Sequence, residues 1–325
     1  MALPPSRRLD FSEVPVVDVS AFVTGDKSGE AATAEAIAQA CGNVGFMYVK
    51  NHGVPQALLD NLMRETERFF KLPVEQRMEV ALENSPEFRG YLPIKYAGEK
   101  TAGTNLQEAF IMFEDRRKGD HPLHLPNQWP TQVPGLKKAM YDYFDATAKF
   151  GKQMLPAFAL ALGLRRDFFD EMFSDPFFML KLNHYPLQPP PENDLDIGVK
   201  GHSDSGGFTI LWQDNVGGLE LMNKSGEWVA MPPIEGTYAL NIGDMMQIWS
   251  NGRFSSTAHR VINTYGTDRY SIPLFVNPNY HTEVKPLVGK VDPDFKPFKS
   301  GEYHTAVYRA IYPQKTKRQA AEAAV

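Results

Sequence analysis

The chain has 325 residues and a single cysteine, Cys41. No disulfide can form within it, which fits a reducing compartment, so a cytoplasmic location is expected. Cys41 lies in an apolar pattern of helical spacing, where a thiol behaves as a small hydrophobe rather than a nucleophile. No apolar run reaches the roughly 18 residues of a membrane span. Met1 to Arg8 carries no hydrophobic stretch of the signal-peptide kind. Positive charge is scarce too. The 34 Lys and Arg stand against 39 Asp and Glu, a net charge of -5, so there is no basic footprint for nucleic acid. The run Lys315-Thr316-Lys317-Arg318 is short and reads as a solvated tail. Internal repeats and low-complexity blocks are absent. What remains is a globular chain whose expected partner is a small molecule, not nucleic acid and not a membrane.

The first half is helical in period. Glu30 to Asn43 places Ala31, Ala34, Ile37, Ala38 and Cys41 near one face, and Pro55 opens a second helix running to about Lys71. Short strands are expected at Val14–Asp18, Gly45–Val49 and Leu106–Phe113. His52 reads as a polar cap at a strand end. A Pro-rich loop from His121 to Pro130 has the length of a lid or binding segment, with His121 and His124 at its surface. Val133 to Leu164 predicts a long helix.

From Met179 the pattern changes to eight short β-like segments. They are Leu180–Tyr185, Phe208–Gln213, Leu219–Met222, Trp228–Ala230, Thr237–Ile242, Met245–Trp249, Thr257–Val261 and Tyr270–Val276. Turn signals at Asn215–Gly218, Lys224–Gly226, Gly243-Asp244 and Asn251-Gly252 separate them. That rhythm predicts a barrel or a jelly roll, with a terminal helix over Gly301–Ile311. The expected class is mixed α/β (α+β), a helical N-terminal half packed on a β core. The divisions are 10–130, linking helices at 131–178, the core at 179–285, and a helix and tail at 286–325.

Within this core, His202 and Asp204 are two residues apart, and residues i and i+2 of an extended segment point to the same side. Gly201 before them and Gly206-Gly207 after them allow a tight exit. His259 returns from the start of a later strand. Two histidines and a carboxylate form the facial triad that suits non-haem Fe(II), with positions open for substrate and oxygen. Arg269 and Ser271 repeat the i, i+2 spacing after a hairpin at Asn263–Thr267. A guanidinium fork with a hydroxyl suits a carboxylate. A keto dicarboxylate would chelate the metal at one end and pair with Arg269 at the other. Lys181, Asn183 and Tyr185 share a strand face, and Asn183 and Tyr185 are placed to donate hydrogen bonds to the chelating end. His184 points the other way. A serine-hydrolase reading fails: Ser205, not glycine, stands where the G-x-S-x-G elbow needs its second glycine.

Several strings carry a family resemblance across nearly the whole chain. They are Pro15-Val16-Val17-Asp18, Gly45-Phe46, Asn51-His52-Gly53, Phe69-Phe70-Lys71-Leu72-Pro73, Phe88-Arg89-Gly90-Tyr91 and Asn127-Gln128-Trp129-Pro130. The core signature is Asn183-His184-Tyr185-Pro186, His202-x-Asp204, His259-Arg260-Val261 and Arg269-x-Ser271. The chain resembles the isopenicillin N synthase-like family of Fe(II)- and 2-oxoglutarate-dependent oxygenases, to which flavonol and anthocyanidin synthases and gibberellin oxidases belong. The resemblance implies a distorted double-stranded β-helix. It implies iron on His202, Asp204 and His259. It also implies 2-oxoglutarate on Arg269 and Ser271, with Asn183 and Tyr185 near its keto-acid end. The implied reaction uses O2, releases succinate and CO2, and hydroxylates, desaturates or cyclises a small organic molecule of the kind met in secondary metabolism.

Family members that keep Arg-x-Ser without using 2-oxoglutarate leave an oxidase, or an ethylene-forming reaction, as alternatives. A non-catalytic metal-binding jelly roll is the alternative from another class. Substrate contacts are expected from Arg89, Tyr91, Phe110, Lys181, Phe208 and Phe275. The first and fourth suit an anionic group and the aromatics an apolar body.

Overall fold

The computed structural model describes residues 12–85, 87–94, 105–116, 121, 123–187, 197–262 and 266–311. Its first half contains β1 (Val16–Asp18), α1 (Ser20–Thr24), α2 (Glu30–Asn43), β2 (Phe46–Lys50), α3 (Gln56–Phe70), α4 (Val74–Met78), β3 (Gly90–Leu92), β4 (Glu108–Phe113) and α5 (Pro134–Ala161). Its second half contains β5 (Met179–Tyr185), β6 (Val199–His202), β7 (Phe208–Gln213), β8 (Leu219–Met222), β9 (Trp228–Ala230) and β10 (Thr237–Ile242). Then follow α6 (Asp244–Trp249), β11 (His259–Val261), β12 (Arg269–Val276), β13 (Glu283–Val284), β14 (Phe298–Lys299) and α7 (Ser300–Ile311).

Eight strands form one large sheet in the order β1-β2-β10-β7-β12-β5-β4-β3, and four form a smaller one, β6-β11-β8-β9. Neighbours are antiparallel except β1 and β2. The N-terminal strands β1–β4 thus flank both sides of the central four. Period-two alternation sorts each central strand into two faces. On β12, Tyr270, Ile272, Leu274 and Val276 join the main apolar core under the helices, while Arg269, Ser271, Pro273 and Phe275 line a cavity on the other side. Helix α5 covers the apolar face. It starts with Pro134 in its first turn, where a missing N–H costs nothing. At Gly151 the helix approaches so closely that an added Cβ would lie 3.2 Å from Val276.

The double-stranded β-helix expected from the sequence is the fold present. Two local readings are corrected. Met245–Trp249 is not a strand but most of α6. Every residue of that helix is buried, so a short apolar run carries no helical stripe to distinguish it from a strand. Nor are β11 and β12 a hairpin. β11 pairs with β6 and β8 in the small sheet, and β12 with β5 and β7 in the large one. The chain between them crosses from sheet to sheet; Asn263–Tyr265 of that expected turn lies outside the described residues. No helix among the described residues is long and apolar enough to cross a membrane.

Candidate active site

The cavity between the sheets measures about 90 Å³, and His202, Asp204, His259, Arg269, Ser271, Asn183, Tyr185, Lys181 and Phe275 all line it. His202 ends β6 and His259 begins β11, and the two are paired directly across the ladder. Their rings lie 4.3 Å apart. Asp204 follows just past the end of β6. Its tight exit depends on Gly206, where an added Cβ would fall 2.1 Å from Asn277 Oδ1.

The two carboxylate oxygens of Asp204 are used differently. Oδ2 accepts hydrogen bonds from Thr209 Oγ1 at 2.6 Å and Asn241 Nδ2 at 2.7 Å. Oδ1 faces His202 Nε2 at 3.8 Å and His259 Nε2 at 3.9 Å. Each histidine has its Nδ1 against a backbone carbonyl two residues earlier, Lys200 O at 2.8 Å and Thr257 O at 3.1 Å. A carbonyl only accepts, so Nδ1 carries the proton in both rings and Nε2 presents its lone pair. Burial, then the neighbouring His202, pushes the His259 imidazole toward its neutral form. Burial alone would raise the Asp204 carboxyl, but His259, His202 and its two hydrogen-bond donors outweigh that and hold it ionised. Two imidazole Nε2 atoms and one carboxylate, with ligand atoms converging within 4.8 Å, fit a divalent iron.

Arg269 is 1% exposed, and its guanidinium lies 4.6 Å over the Tyr185 ring. Nε donates to Gly217 O and Nη2 to Gln213 Oε1 at 3.2 Å. Nη1 has no hydrogen-bond partner, and no carboxylate salt-bridges Arg269 among the described residues. Ser271 accepts from Asn183 Nδ2 at 3.2 Å, and Asn183 Oδ1 has no hydrogen-bond partner among the described residues. The cross-strand register sets Tyr185 opposite Arg269 and Asn183 opposite Ser271. Tyr185 therefore sits at the guanidinium end of the cavity, not at the keto-acid end expected for it. His184, on the other face, bonds Glu108 Oε1 at 2.7 Å.

Of the six expected substrate contacts, the structure brings Lys181 and Phe275 to the cavity and removes four. Phe208 is on the helix face of β7 against Phe158, because its neighbour Thr209 takes the cavity side. Phe110 pairs with Leu182 and packs on Phe69, and Tyr91, opposite Phe110, bonds Glu108. Arg89 is fully buried elsewhere, donating to Glu87 O at 2.6 Å and to Leu123 O, with its guanidinium over Phe113. Gln107 and Phe46 line the cavity unanticipated. Phe46 stands two residues from Tyr48 on β2, in a strand that reads from sequence as plain core.

None of the described residues of the Pro-rich loop lines the cavity. Asn127 clasps the Phe113 backbone at 2.8 and 3.1 Å, and Gln128 donates to Ala81 O and Arg89 O, both at 3.0 Å. His121, expected at the surface, is buried and stacks on Tyr280. With His124 and Asp175 it forms a second group within 4.8 Å. There the Leu123 N–H donates to His121 Nδ1 at 3.2 Å, which leaves the proton of the neutral ring on Nε2. That is the reverse of the arrangement at His202 and His259.

Comparison with known proteins places the chain. A family model described as 2OG-Fe(II) oxygenase superfamily matches residues 176–278, and one described as non-haem dioxygenase in morphine synthesis N-terminal matches 14–132. A homoarginine-6-hydroxylase of Glycine max is 35% identical over 298 residues, covering 86% of this chain and 89% of the relative. A 2-oxoglutarate-Fe(II) type oxidoreductase of Emericella nidulans is 31% identical, covering 92% and 90%. The crystal structure of a Neurospora crassa protein in complex with alpha-KG and thymine matches with a TM-score of 0.81 at 28% identity, covering 92% of this chain and 97% of that one. The chain belongs to the 2-oxoglutarate–Fe(II) oxygenase superfamily, and it is a non-haem dioxygenase that uses Fe(II), 2-oxoglutarate and O2 to oxidise a small molecule.

Proposed function

We propose that this enzyme hydroxylates a small organic molecule carrying an anionic group, with His202, Asp204 and His259 holding the iron. The observation that carries the cosubstrate assignment is Arg269. A buried guanidinium with no carboxylate of its own is costly, and a carboxylate delivered by a ligand offsets that cost. Arg269 Nη1 and the Ser271 hydroxyl would hold the distal carboxylate of 2-oxoglutarate, and Tyr185 walls the same end. Asn183 lies one step toward the metal ligands. Fe(II) held by these three residues would supply O2 activation, with decarboxylation of 2-oxoglutarate to succinate as the source of two electrons and the second oxygen atom left for the substrate.

Substrate selection falls to Lys181 and Phe275, further along the same face than Asn183 and Ser271. Lys181 has no salt-bridge partner among the described residues. Burial lowers its ammonium to about 8, although Asp204 pulls the other way, so it is still mostly charged at neutral pH and suits a substrate carboxylate. Phe275 offers an apolar wall. That relatives include a hydroxylase supports hydroxylation as the outcome.

The test is spectroscopic and chemical. Anaerobic Fe(II) with 2-oxoglutarate should give a metal-to-ligand charge-transfer band, and Arg269→Ala should remove it at the same ligand concentration. A screen of small carboxylates under air should then find one that raises succinate above the uncoupled background. No band in the wild type, or oxygen uptake that needs no 2-oxoglutarate, would overturn the cosubstrate assignment.

A further inference from the structure

The ladder between β6 and β11 stops at the rung that pairs His202 with His259. Beyond it the two chains must still be held at a fixed separation, because Asp204 lies past the end on one side and the run into His259 lies past it on the other. Backbone pairing between these two chains does not do this. A side chain from a third element does.

That side chain is Asp244, the first residue of α6 and 8% exposed. Its backbone N–H donates to Asp204 O at 2.7 Å. Its Oδ1 accepts the Ser256 hydroxyl at 2.6 Å. The Ser203 side chain adds a further hydrogen bond to the same carboxylate. One residue therefore touches the ligand turn through its main chain and the approach to His259 through its side chain. The rest of α6 supports both contacts. Gly243 N and Met245 N bond Gly207 O and Gly206 O at 2.9 and 3.0 Å, and Gln247 Oε1 accepts the Ser256 N–H at 2.6 Å.

We infer that Asp244 is a positioning residue for the metal centre, fixing the distance between the His202–Asp204 pair and His259 by bridging Asp204 to Ser256. Nothing in its geometry touches cosubstrate or substrate. Its effect runs through the three ligand atoms, and partners of metal ligands typically change affinity by about 10–100-fold when removed. The bridge also explains why a helix occupies this place. A strand would send alternate residues to opposite faces, whereas one helical turn lets Asp244 and Gln247 reach the Ser256 segment together.

The inference rests on the triad as the metal site, so His202→Ala is run alongside; its failure to abolish metal binding would discredit the triad itself. The readout is Co²⁺ affinity of the metal-free chain, followed by the d–d absorption of the bound ion, with thermal unfolding of the metal-free protein measured in parallel. Asp244→Ala is expected to weaken Co²⁺ by about 10–100-fold and to shift the d–d band, with Asp244→Asn, which keeps an acceptor for Ser256, restoring most of the affinity. Should Asp244→Ala fail to fold, Ser256→Ala, which deletes one hydroxyl, carries the same expectation at smaller size. Wild-type affinity and an unshifted band in Ser256→Ala, or a lowered melting temperature in Asp244→Ala with unchanged affinity, would overturn it.

Discussion

Two groups of two histidines and one aspartate occur among the described residues, and in each the ligand atoms lie within 4.8 Å of one another. At His202, Asp204 and His259, main-chain carbonyls hold both Nδ1 protons and leave both Nε2 lone pairs facing one carboxylate oxygen. At His121, His124 and Asp175, a main-chain N–H takes the lone pair of His121 Nδ1 instead. The residue types are the same. The two groups differ in the hydrogen bond made by Nδ1, which chooses the tautomer and so decides whether Nε2 offers a lone pair.

The sharpest test of that contrast is Asp204→Ala, which should abolish stoichiometric metal binding and cut turnover by at least about 10³-fold. Elemental analysis and succinate assays read both. Away from either cluster, Phe208→Ala should cost about 3–5 kcal/mol of stability in a denaturant titration yet leave the KM of the folded enzyme unchanged. A changed KM would put Phe208 back at the cavity. Thr209→Val removes one donor from Asp204 Oδ2, and metal affinity should drop about tenfold, measured by competition with a chelator. Lys181→Met should raise KM about tenfold for an anionic substrate at neutral pH. The wild-type KM should also rise as pH passes through about 8, because burial has lowered the ammonium and deprotonation removes the attracting charge. The variant should lack that rise. Last, His124→Ala should leave one metal ion bound per chain; a loss would show the second group to be a ligand set after all.

The site was legible in the sequence because its grammar is local. His202 and Asp204, Arg269 and Ser271, and Lys181, Asn183 and Tyr185 each follow the two-residue period of extended chain, and the structure puts each set on one side. Phe208 shows the limit of that rule. Its own strand was read correctly, but the period says only that Phe208 and Thr209 face opposite ways, not which of them faces the cavity. Arg89 fails for a different reason. A guanidinium looks like an anion receptor, but here backbone carbonyls of Glu87 and Leu123 take its two terminal nitrogens away from the cavity, in a place that sequence separation conceals. Tyr185 could be set on the right face but not at the right end, because its depth is fixed by register with Arg269, a partner far away in the chain. Met245–Trp249 was misread because total burial erases periodicity.

The position of β2 has a consequence for how the protein can be cut. It is hydrogen-bonded along most of β10, and β1 in turn lies along β2. The two strands β1 and β2 therefore act as a seal on one margin of the large sheet. A shortened chain beginning after β2 would not be a leaner catalyst. It would present the bare main chain of β10 as a template for another molecule's strand, and self-association would compete with folding.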